Sequence, residues 1–571
     1  MLDSSKLLLI SLTLPLIGAA LAVLAGARGA TTARQSALIT SLLTLLTVGT
    51  LVFRFPGGVE PFATANLSWL GADSGFDIRL RVGLDGLSVW LFGLSALLTV
   101  TCVLVSWDSI RQGAAGFYAL LLLLEAGMLG VFAARDIILF YVCFEFTLIP
   151  LFFLIGIWGS EDRRRAAVKF FLFTLAGSVL TFLGLLTIVL QASQHAANGQ
   201  LVFGIPELTQ LLMADASHAI DTRLQVFIFL ALFAGFAIKV PLFPLHTWLP
   251  LAHVQAPTAG SVVLAGVLLK IGTYGFLRFS IPMLPDATVR CMPFLLWLSV
   301  IGILYGALVA LAQKDVKRLI AYSSVSHLGF CMLGLFALNR LGVQGGALQM
   351  INHGLSTGGL FACVGMIYQR YHTRQIGELG GMARTTPVLA FFMLVFTFSS
   401  IGLPGLNGFA GEFLLLIGMF QRARGVNPAG LDWQYMTIAV LAVSGVILGA
   451  WYMLLLIQKI FFGPTREPSS DEHTTILDLR IHEVAALTPL VVFIVWIGIR
   501  PGTFLAPMAP TLDQTTAQAE QVYRQGIIEA HGLRPIAVEV TRSQPDFSLS
   551  LPSLAHQLSP HSDANKDAPR R

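Results

Sequence analysis

Long apolar segments, separated by short polar connections, follow one another along most of the 571-residue chain. A helix needs about 20 apolar residues to cross the hydrocarbon core of a bilayer, and a sliding window of about 19 residues predicts about 14 such spans. The predicted spans lie near residues 7–25, 36–54, 87–106, 115–133, 137–157, 167–191, 225–247, 258–279, 292–311, 319–337, 345–367, 386–420, 434–459 and 484–501. This pattern predicts an all-α polytopic membrane protein.

The composition agrees with a lipid environment. Hydrophobic residues make up 55% of the chain and charged residues 12%, whereas roughly a quarter of the residues in soluble domains are charged. The formal net charge of +5 is spread through the connections, so it indicates neither nucleic acid nor an acidic substrate as a partner. The cysteines stand singly in apolar segments without metal-ligand spacing, and we interpret them as small core residues. They are Cys102, Cys143, Cys291, Cys331 and Cys363.

The positions of lysine and arginine predict the orientation of the chain, because these residues concentrate in short cytoplasmic connections. The basic clusters all follow odd-numbered spans, so one orientation fits them, with both termini in the bacterial periplasm. The clusters contain Arg28, Arg34, Arg163, Arg164, Arg165, Lys169, Lys314, Lys317, Arg318, Arg370 and Arg374. The first span is also similar to a secretory signal, but Asp3 and the length of the span favour a retained helix. The predicted location is the bacterial inner (plasma) membrane, in several passes.

Seven ionisable side chains lie inside the apolar spans and away from the span ends, where each central charge costs roughly 2.5–3.5 kcal/mol on insertion scales. They are Glu125, Glu145, Lys239, Lys270, His327, His353 and Glu412. Taken singly, each is explained as well by a structural hydrogen bond or by helix packing. Taken together, their similar depth in consecutive spans predicts a polar path that runs parallel to the membrane plane.

Helix-breaking residues occur beside two of these side chains. Span 7 continues from Lys239 as KVPLFPLHTWLP, and span 12 reads SIGLPGLNGFAGEF up to Glu412 and the residue after it. Proline removes a backbone donor, and glycine weakens the helix, so both spans are predicted to be broken. Broken helices in the two halves of a chain are typical of inverted-repeat transporters.

The predicted domain organisation follows from these spans and breaks. It consists of transmembrane helices 1–3 in residues 1–114, a first antiporter-like repeat (helices 4–8) in 115–279, a second, inverted repeat (helices 9–13) in 292–459, a last transmembrane helix in 484–502, and a polar, partly disordered tail in 503–571 with a short helix around 514–530. Asp85 and Ser88 are interpreted as a helix cap at the start of span 3. An interface or substrate-side role for these two residues is the alternative.

Four long motifs carry a resemblance to one family, in the family's order. They are FYVCFEFTLIPLFFLIGIWG (140–159), KVPLFPLHTWLPLAHVQAPTAGSVVLAGVLLKIGTYG (239–275), IAYSSVSHLGF (320–330) and GLPGLNGFAGEF (402–413). Over roughly residues 80–500 the chain resembles the M subunit of bacterial NADH–quinone oxidoreductase, respiratory complex I, whose mitochondrial counterpart is NADH dehydrogenase subunit 4. Glu412 favours this subunit over the paralogous L subunit, which has a lysine at that position.

The resemblance implies roles for individual residues in moving protons. The family's essential carboxylate, its partner lysine, its central lysine, its two histidines and its terminal glutamate match Glu145, Lys239, Lys270, His327, His353 and Glu412. Leu251 and Gln255 depart from the family, which often has acidic residues there, so a proton entry route through those carboxylates is in doubt.

A simple estimate indicates how the first two of these residues would act. A Glu–Lys pair about 4 Å apart is worth roughly 4 kcal/mol at an effective dielectric constant of about 20. We therefore expect Glu145 to control whether Lys239 holds its proton. Lys239 is then expected to exchange with Lys270 through water and the histidines, and Glu412 to deliver protons to the periplasmic side.

These observations predict a proton-translocating membrane subunit of NADH-quinone oxidoreductase, a translocase coupled to electron transfer in other subunits. No nucleotide loop, iron–sulfur spacing, haem site or flavin fingerprint occurs in the sequence, so we expect no redox centre, metal or quinone in this chain. FMN and iron–sulfur clusters are expected in partner subunits.

The expected partners are other membrane subunits of complex I, including the L-type and N-type antiporter-like paralogues, the hydrophilic NADH-oxidising arm indirectly, and the lipid bilayer, but no nucleic acid. A subunit of a multi-subunit cation/proton antiporter, a subunit of a membrane-bound hydrogenase and a membrane scaffold are the alternatives.

Overall fold

The computed structural model describes residues 3–71, 76–194, 200–214, 220–425, 430–466 and 476–531. Its helices and strands, in chain order, are α1 (Ser4–Gly26), α2 (Ala30–Arg54), β1 (Phe62–Leu70), β2 (Ile78–Leu84), α3 (Val89–Val105), α4 (Ala114–Ala133), α5 (Ile137–Phe146), α6 (Leu148–Trp158), α7 (Arg163–Ser193), α8 (Ile205–Ala214), α9 (Thr222–Lys239), α10 (Leu249–Gln255), α11 (Thr258–Val263), α12 (Leu269–Gly275), α13 (Ile281–Met283), α14 (Pro285–Leu311), α15 (Val316–Phe336), α16 (Arg340–Tyr371), α17 (Met382–Thr385), α18 (Pro387–Ser400), α19 (Asn407–Arg424), α20 (Trp433–Phe461), α21 (Ile481–Ile499) and α22 (Gly502–His531). Two π-helical segments, Leu264–Leu268 and Phe276–Ser280, continue the helix between α11, α12 and α13. A 3-10 turn covers Ile376–Glu378.

Twelve helical segments in the described chain are long and apolar enough to cross a membrane, and each coincides with a predicted span. Helices predominate because a lipid-exposed segment must pair its backbone groups internally. α3 and α18 are also apolar but have only 17 and 14 residues. The predicted all-α polytopic class is confirmed, whereas the count of about 14 spans stays a prediction.

The most buried spans carry most of the predicted ionisable residues. The apolar window is buried completely in Thr258–Met283 and in α16, compared with a third of it in α2. Small residues allow these inner helices to approach one another closely. A Cβ atom at Gly272 would lie 2.6 Å from the carbonyl oxygen of Phe236, so the contact between α9 and α12 requires glycine at this position.

The helix is interrupted over residues 240–248, between α9 and α10, and over residues 401–406, between α18 and α19. In the first interruption the Trp248 indole donates to the carbonyl oxygen of Ile238 at 3.0 Å, which pairs an acceptor at the end of α9. In the second, Gly402 has a φ of +70°, a conformation that favours glycine. That each interruption divides one membrane-crossing span stays a prediction.

A two-stranded antiparallel hairpin between α2 and α3 was not predicted. In it Asn66 of β1 lies opposite Arg81 of β2, and Arg81 forms an ion pair with Glu207 of α8 at 2.5 Å. A hydropathy window misses such strands because the residues on their two faces differ in polarity and average to a low value.

The polar C-terminal region begins with a longer helix than the one predicted around residues 514–530, because α22 already starts at Gly502. Apolar contacts hold its first turns. Phe504 packs on Trp90 with ring centroids 4.6 Å apart, and Met508 is buried. These apolar contacts extend α22 towards its N-terminus, although the polar composition of the region predicted only a short helix.

The chain divides into two units. Met1–Gln525 contains every element up to most of α22. Of Gly526–Arg571 the structure describes only residues 526–531, the end of α22. Residues 532–571, the rest of the predicted tail, lie outside the described residues.

Candidate ion-transfer site in the membrane interior

Lys270 lies in a fully buried span and contacts a histidine from another helix. Its Nζ donates to the carbonyl oxygen of Ala265, in the π-helical segment that precedes α12. The same Nζ lies 2.7 Å from Nδ1 of His353 on α16, and both side chains are buried. An ammonium group can donate to a neutral imidazole at this distance, so a proton can pass between them directly.

His327 on α15 continues the contact from His353 towards Glu412 on α19. The two imidazole rings have centroids 5.8 Å apart, and Nδ1 of His327 lies 3.6 Å from Oε1 of Glu412. Nε2 of His327 lies 3.5 Å from the hydroxyl oxygen of Tyr452. A cavity of about 10 Å³ between His327, Glu412, Tyr452 and Ser400 is comparable to the space that one water molecule needs. We call Lys270, His353, His327 and Glu412 the buried row.

A network of amide side chains holds the Glu412 end of the buried row. Gln349 Nε2 donates to Oε1 of Glu412 at 3.1 Å, and Asn352 Nδ2 donates to Oε1 of Gln349 at 3.1 Å. Asn352 also donates to the carbonyl oxygen of Asn407, at the start of α19, at 2.8 Å. Asn407 in turn accepts from Ser399, at the end of α18, at 2.5 Å. The network therefore ties the interruption between α18 and α19 to α16.

The sequence prediction did not include this network. The sequence does contain a sign of it, because uncharged polar residues occur on the apolar helix that carries His353. Each buried amide there needs hydrogen-bond partners. Buried amides were outside the search for ionisable groups, so they were missed.

The structure does not bring Glu145 and Lys239 into direct contact. Lys239, the last residue of α9, is buried, and its Nζ lies 4.6 Å from the centroid of the Phe144 ring. Glu145 follows Phe144 on α5, yet no ion pair within 4.0 Å joins it to Lys239 among the described residues. In this conformation the ammonium group lies over an aromatic ring instead, and the control of Lys239 by Glu145 stays a prediction.

Glu125 lies outside the buried row. It is completely buried in α4, and neither carboxyl oxygen has a hydrogen-bond partner in the described structure. α4 packs mainly on α1, α2, α3, α5 and α6, whereas the row lies on α12, α15, α16 and α19. The geometry therefore separates Glu125 from the buried row.

The predicted side-chain cap of α3 is not present, because Ser88 directly precedes the helix and no side chain caps it. Asp85 instead holds the turn before α3 and pairs with two arginines. Its Oδ1 accepts the backbone N–H groups of Leu87 and Ser88 at 3.2 and 3.0 Å. The same carboxylate accepts from Arg135 at 2.5 Å and from both terminal nitrogens of Arg278 at 2.7 and 2.9 Å. Burial alone would raise the pKa of this carboxyl, but the guanidinium groups of Arg278 and Arg135 outweigh it and hold the pKa well below its usual range.

The two departures from the family pattern have different surroundings. Oε1 of Gln255 accepts from the backbone N–H of Asp162 at 3.1 Å, at the start of α7, while Leu251 is partly buried against the apolar core. An uncharged amide at position 255 therefore has a structural role in the turn between α6 and α7. Among the described residues, no group of three or more His, Cys, Asp or Glu side chains is arranged to hold a metal ion.

The comparisons with known proteins decide the family. The family described as NADH:quinone oxidoreductase/Mrp antiporter, TM, matches residues 134–427. The chain is 40% identical to NADH-ubiquinone oxidoreductase chain 4 of Chondrus crispus, over 88% of this chain and 95% of that protein. It is 42% identical to NADH-quinone oxidoreductase subunit M of Rhodobacter capsulatus, over 76% of this chain and 81% of that protein. The chain belongs to the subunit M family of NADH:quinone oxidoreductases.

The subunit M fold is also found in a solved structure of respiratory complex I from Thermus thermophilus with bound NADH. One chain of that structure matches with a TM-score of 0.76 and 33% identity, over 90% of this chain and 99% of that chain. Membership of the subunit M family confirms the predicted proton-translocating, antiporter-like membrane subunit and its multi-pass location in the bacterial inner membrane. It also favours this interpretation over the antiporter and hydrogenase alternatives.

Proposed function

We propose that this subunit M family member moves protons through the buried row and that Glu145 and Lys239 control their entry into it. The observation that carries the proposal is the contact of 2.7 Å between Lys270 and His353, inside spans whose apolar windows are completely buried. A buried cation is expensive in the membrane interior, so a lysine held at a neutral imidazole is suited to giving up its proton.

The later steps in the row require water as well as side chains. The separations from His353 to His327 and from His327 to Glu412 exceed the length of a strong hydrogen bond. A water molecule in the small cavity beside Tyr452 would bridge His327 and Glu412. In this sequence His353 receives the proton of Lys270, His327 receives it through water, and Glu412 releases it towards the periplasm.

Glu145 and Lys239 act as the control element in this proposal. Lys239 is held over Phe144, a contact worth about 0.5–2 kcal/mol, and Glu145 is the next residue of α5. A movement of Glu145 towards Lys239 would favour its charged form, and a movement away would favour release of the proton to the row. The contact of Lys239 with Phe144 supports an arrangement in this structure in which Glu145 is turned away from Lys239.

The positions of the two helix interruptions support an inverted-repeat organisation. We propose repeats over residues 115–279 and 292–459, with one interruption beside Lys239 and the other just before Glu412. In such transporters, interrupted helices place ion sites at the repeat interface.

The energy source and the partners belong to the same proposal. Electron transfer takes place in other subunits, which hold FMN and iron–sulfur clusters, and this chain contributes no redox centre. Its neighbours are other membrane subunits of complex I, including the L-type and N-type paralogues, and it is linked indirectly to the NADH-oxidising arm. The match to nearly the whole of one chain in a complex I that binds NADH supports this assignment.

The variant Lys239→Ala tests the proposal against a purely structural polar axis. We expect the ratio of protons moved to NADH oxidised to fall, because the residue that feeds the row is lost. Lys459→Ala, which removes an exposed lysine from the last turn of α20, is the matched control and should leave the ratio unchanged. A normal ratio in Lys239→Ala would favour the scaffold alternative.

A further inference from the structure

A cavity of about 840 Å³ lies on the predicted cytoplasmic side of the protein, apart from the buried row. It opens to the surface and is bordered by α2, the connection before α4, α15, the end of α16 and the segment before α21. None of the residues assigned to proton transfer lines it. The site therefore needs an explanation that goes beyond the proposed function and does not rest on it.

The cavity has a surplus of positive charge. Six Lys or Arg side chains line it, against the two carboxylates of Asp108 and Glu483. Both carboxylates are already paired, each with an arginine of the lining at 2.6 Å, and Arg374 pairs with a carboxylate outside the cavity at 3.5 Å. Arg34, Arg111 and Lys317 have no carboxylate partner within 4.0 Å in the described chain.

The unpaired polar atoms of the lining are hydrogen-bond donors. Nε of Arg34 and Nε2 of Gln369 are buried without a partner. Lys317 is also buried, and its Nζ donates one N–H to the carbonyl oxygen of Ala256 at 2.6 Å. The other two N–H groups of the ammonium remain available to a ligand. A ligand that fits must supply acceptors, and because the buried Lys317 and the partly buried Arg34 lack a counter-charge, an anion fits best.

Phosphate satisfies both requirements, because it presents several acceptor oxygens to guanidinium and ammonium groups. The surroundings of the cavity favour a lipid as its source. Trp158 and Tyr368 line it, and side chains of these types gather at the membrane surface. Leu477, also in the lining, is 68% exposed and offers an apolar surface to an acyl chain. Basic pockets between membrane helices on the cytoplasmic side bind anionic headgroups.

We propose that this cavity binds the phosphate group of an anionic phospholipid headgroup. Arg34 and Lys317 bind the phosphate oxygens, and Gln369 donates a further hydrogen bond. The phosphate thereby joins α2 to α15 and α16, helices that are far apart in the sequence.

The test uses the full chain in nanodiscs of phosphatidylcholine, with or without phosphatidylglycerol, and counts the phosphatidylglycerol retained after detergent release by native mass spectrometry. Wild type should retain phosphatidylglycerol, and Arg34→Gln and Lys317→Gln should each weaken its binding about tenfold, the loss of one charge-assisted hydrogen bond. Arg318→Gln removes the same charge from the next residue of α15, which is exposed and outside the lining. It should bind as wild type does.

Inorganic phosphate distinguishes a phospholipid headgroup from free phosphate as the occupant of the cavity. In phosphatidylcholine nanodiscs, phosphate should raise the unfolding temperature of wild type and not of Arg34→Gln if the site takes phosphate. Stabilisation by phosphate without retention of phosphatidylglycerol would keep the site but overturn the lipid as its occupant. Equal retention by wild type and Arg34→Gln, with no effect of phosphate, would overturn the site. If Lys317→Gln does not fold, Arg34→Gln alone decides, because Arg34 is only partly buried.

Discussion

Replacing Lys270 by arginine separates the positive charge at the centre of the buried row from the ability to release a proton. The guanidinium group keeps the charge and several donors, so contacts with Ala265 and His353 remain available. Unlike a lysine, an arginine is not deprotonated in proteins. The substitution therefore removes one chemical step and leaves the electrostatics of the site nearly unchanged.

The size of the effect follows from reference values. The side-chain pKa values of lysine and arginine differ by roughly two to three units, so deprotonation becomes about 3–4 kcal/mol harder. A transfer step through Lys270 should slow by about 100- to 1,000-fold. Because Lys270 is completely buried, the larger headgroup also costs about 1–3 kcal/mol of packing, which the unfolding temperature reports separately.

The assay is NADH-driven acidification of inverted membrane vesicles, with NADH oxidation followed in parallel. For Lys270→Arg we expect either a lower ratio of protons to NADH or a joint loss of both rates. Lys314→Arg places the same substitution at an exposed position between α14 and α15 and should behave as wild type. If the assembled Lys270→Arg protein pumps with the normal ratio and rate, Lys270 does not release its proton during turnover, and the reasoning is wrong.

Two further substitutions test the groups that support the site. Gln349→Leu removes the donor to Glu412 at 3.1 Å and should lower the free energy of unfolding by about 1–3 kcal/mol. We expect slower acidification and a lower unfolding temperature. Gln344→Leu on the same helix is the control, because Nε2 of Gln344 has no partner in the described structure, and it should have a smaller effect on both measurements. Asp85→Asn leaves two buried guanidinium groups without a carboxylate and should lower the free energy of unfolding by about 3–5 kcal/mol, measured by chemical denaturation, whereas Asp221→Asn should not, since Asn replaces an exposed helix cap equally well. The wild-type contribution of Asp85 should be complete above about pH 4, the range of an unfolded aspartate, and should be lost only as the pH falls through its lowered pKa in the folded protein.

The positions of the helices could be predicted from the sequence because the bilayer makes hydropathy and helix length nearly equivalent. The spans predicted at residues 115–133 and 258–279 correspond to the observed helical segments Ala114–Ala133 and Thr258–Met283. The β-hairpin and the start of α22 were missed, because their stability comes from alternating or one-sided apolar contacts that a hydropathy average removes.

The residues of the buried row could be selected from the sequence because charge at membrane depth is costly. Their contacts could not be predicted in the same way. The position of Lys239 over Phe144 depends on the rotation of two helices and on a rotamer. The amides that hold Glu412 carry no charge, so the cost that identified the ionisable residues did not identify them.

The central claim is that this chain conducts protons under the control of Glu145, and the most direct test compares Glu145→Ala with wild type. NADH-driven acidification of inverted vesicles is measured together with NADH oxidation and with assembly of the complex, and Glu161→Ala, at an exposed position in the next connection, serves as the control. The account predicts that acidification collapses in Glu145→Ala while assembly is intact and the control pumps normally. Unchanged NADH-driven pumping in Glu145→Ala would contradict it.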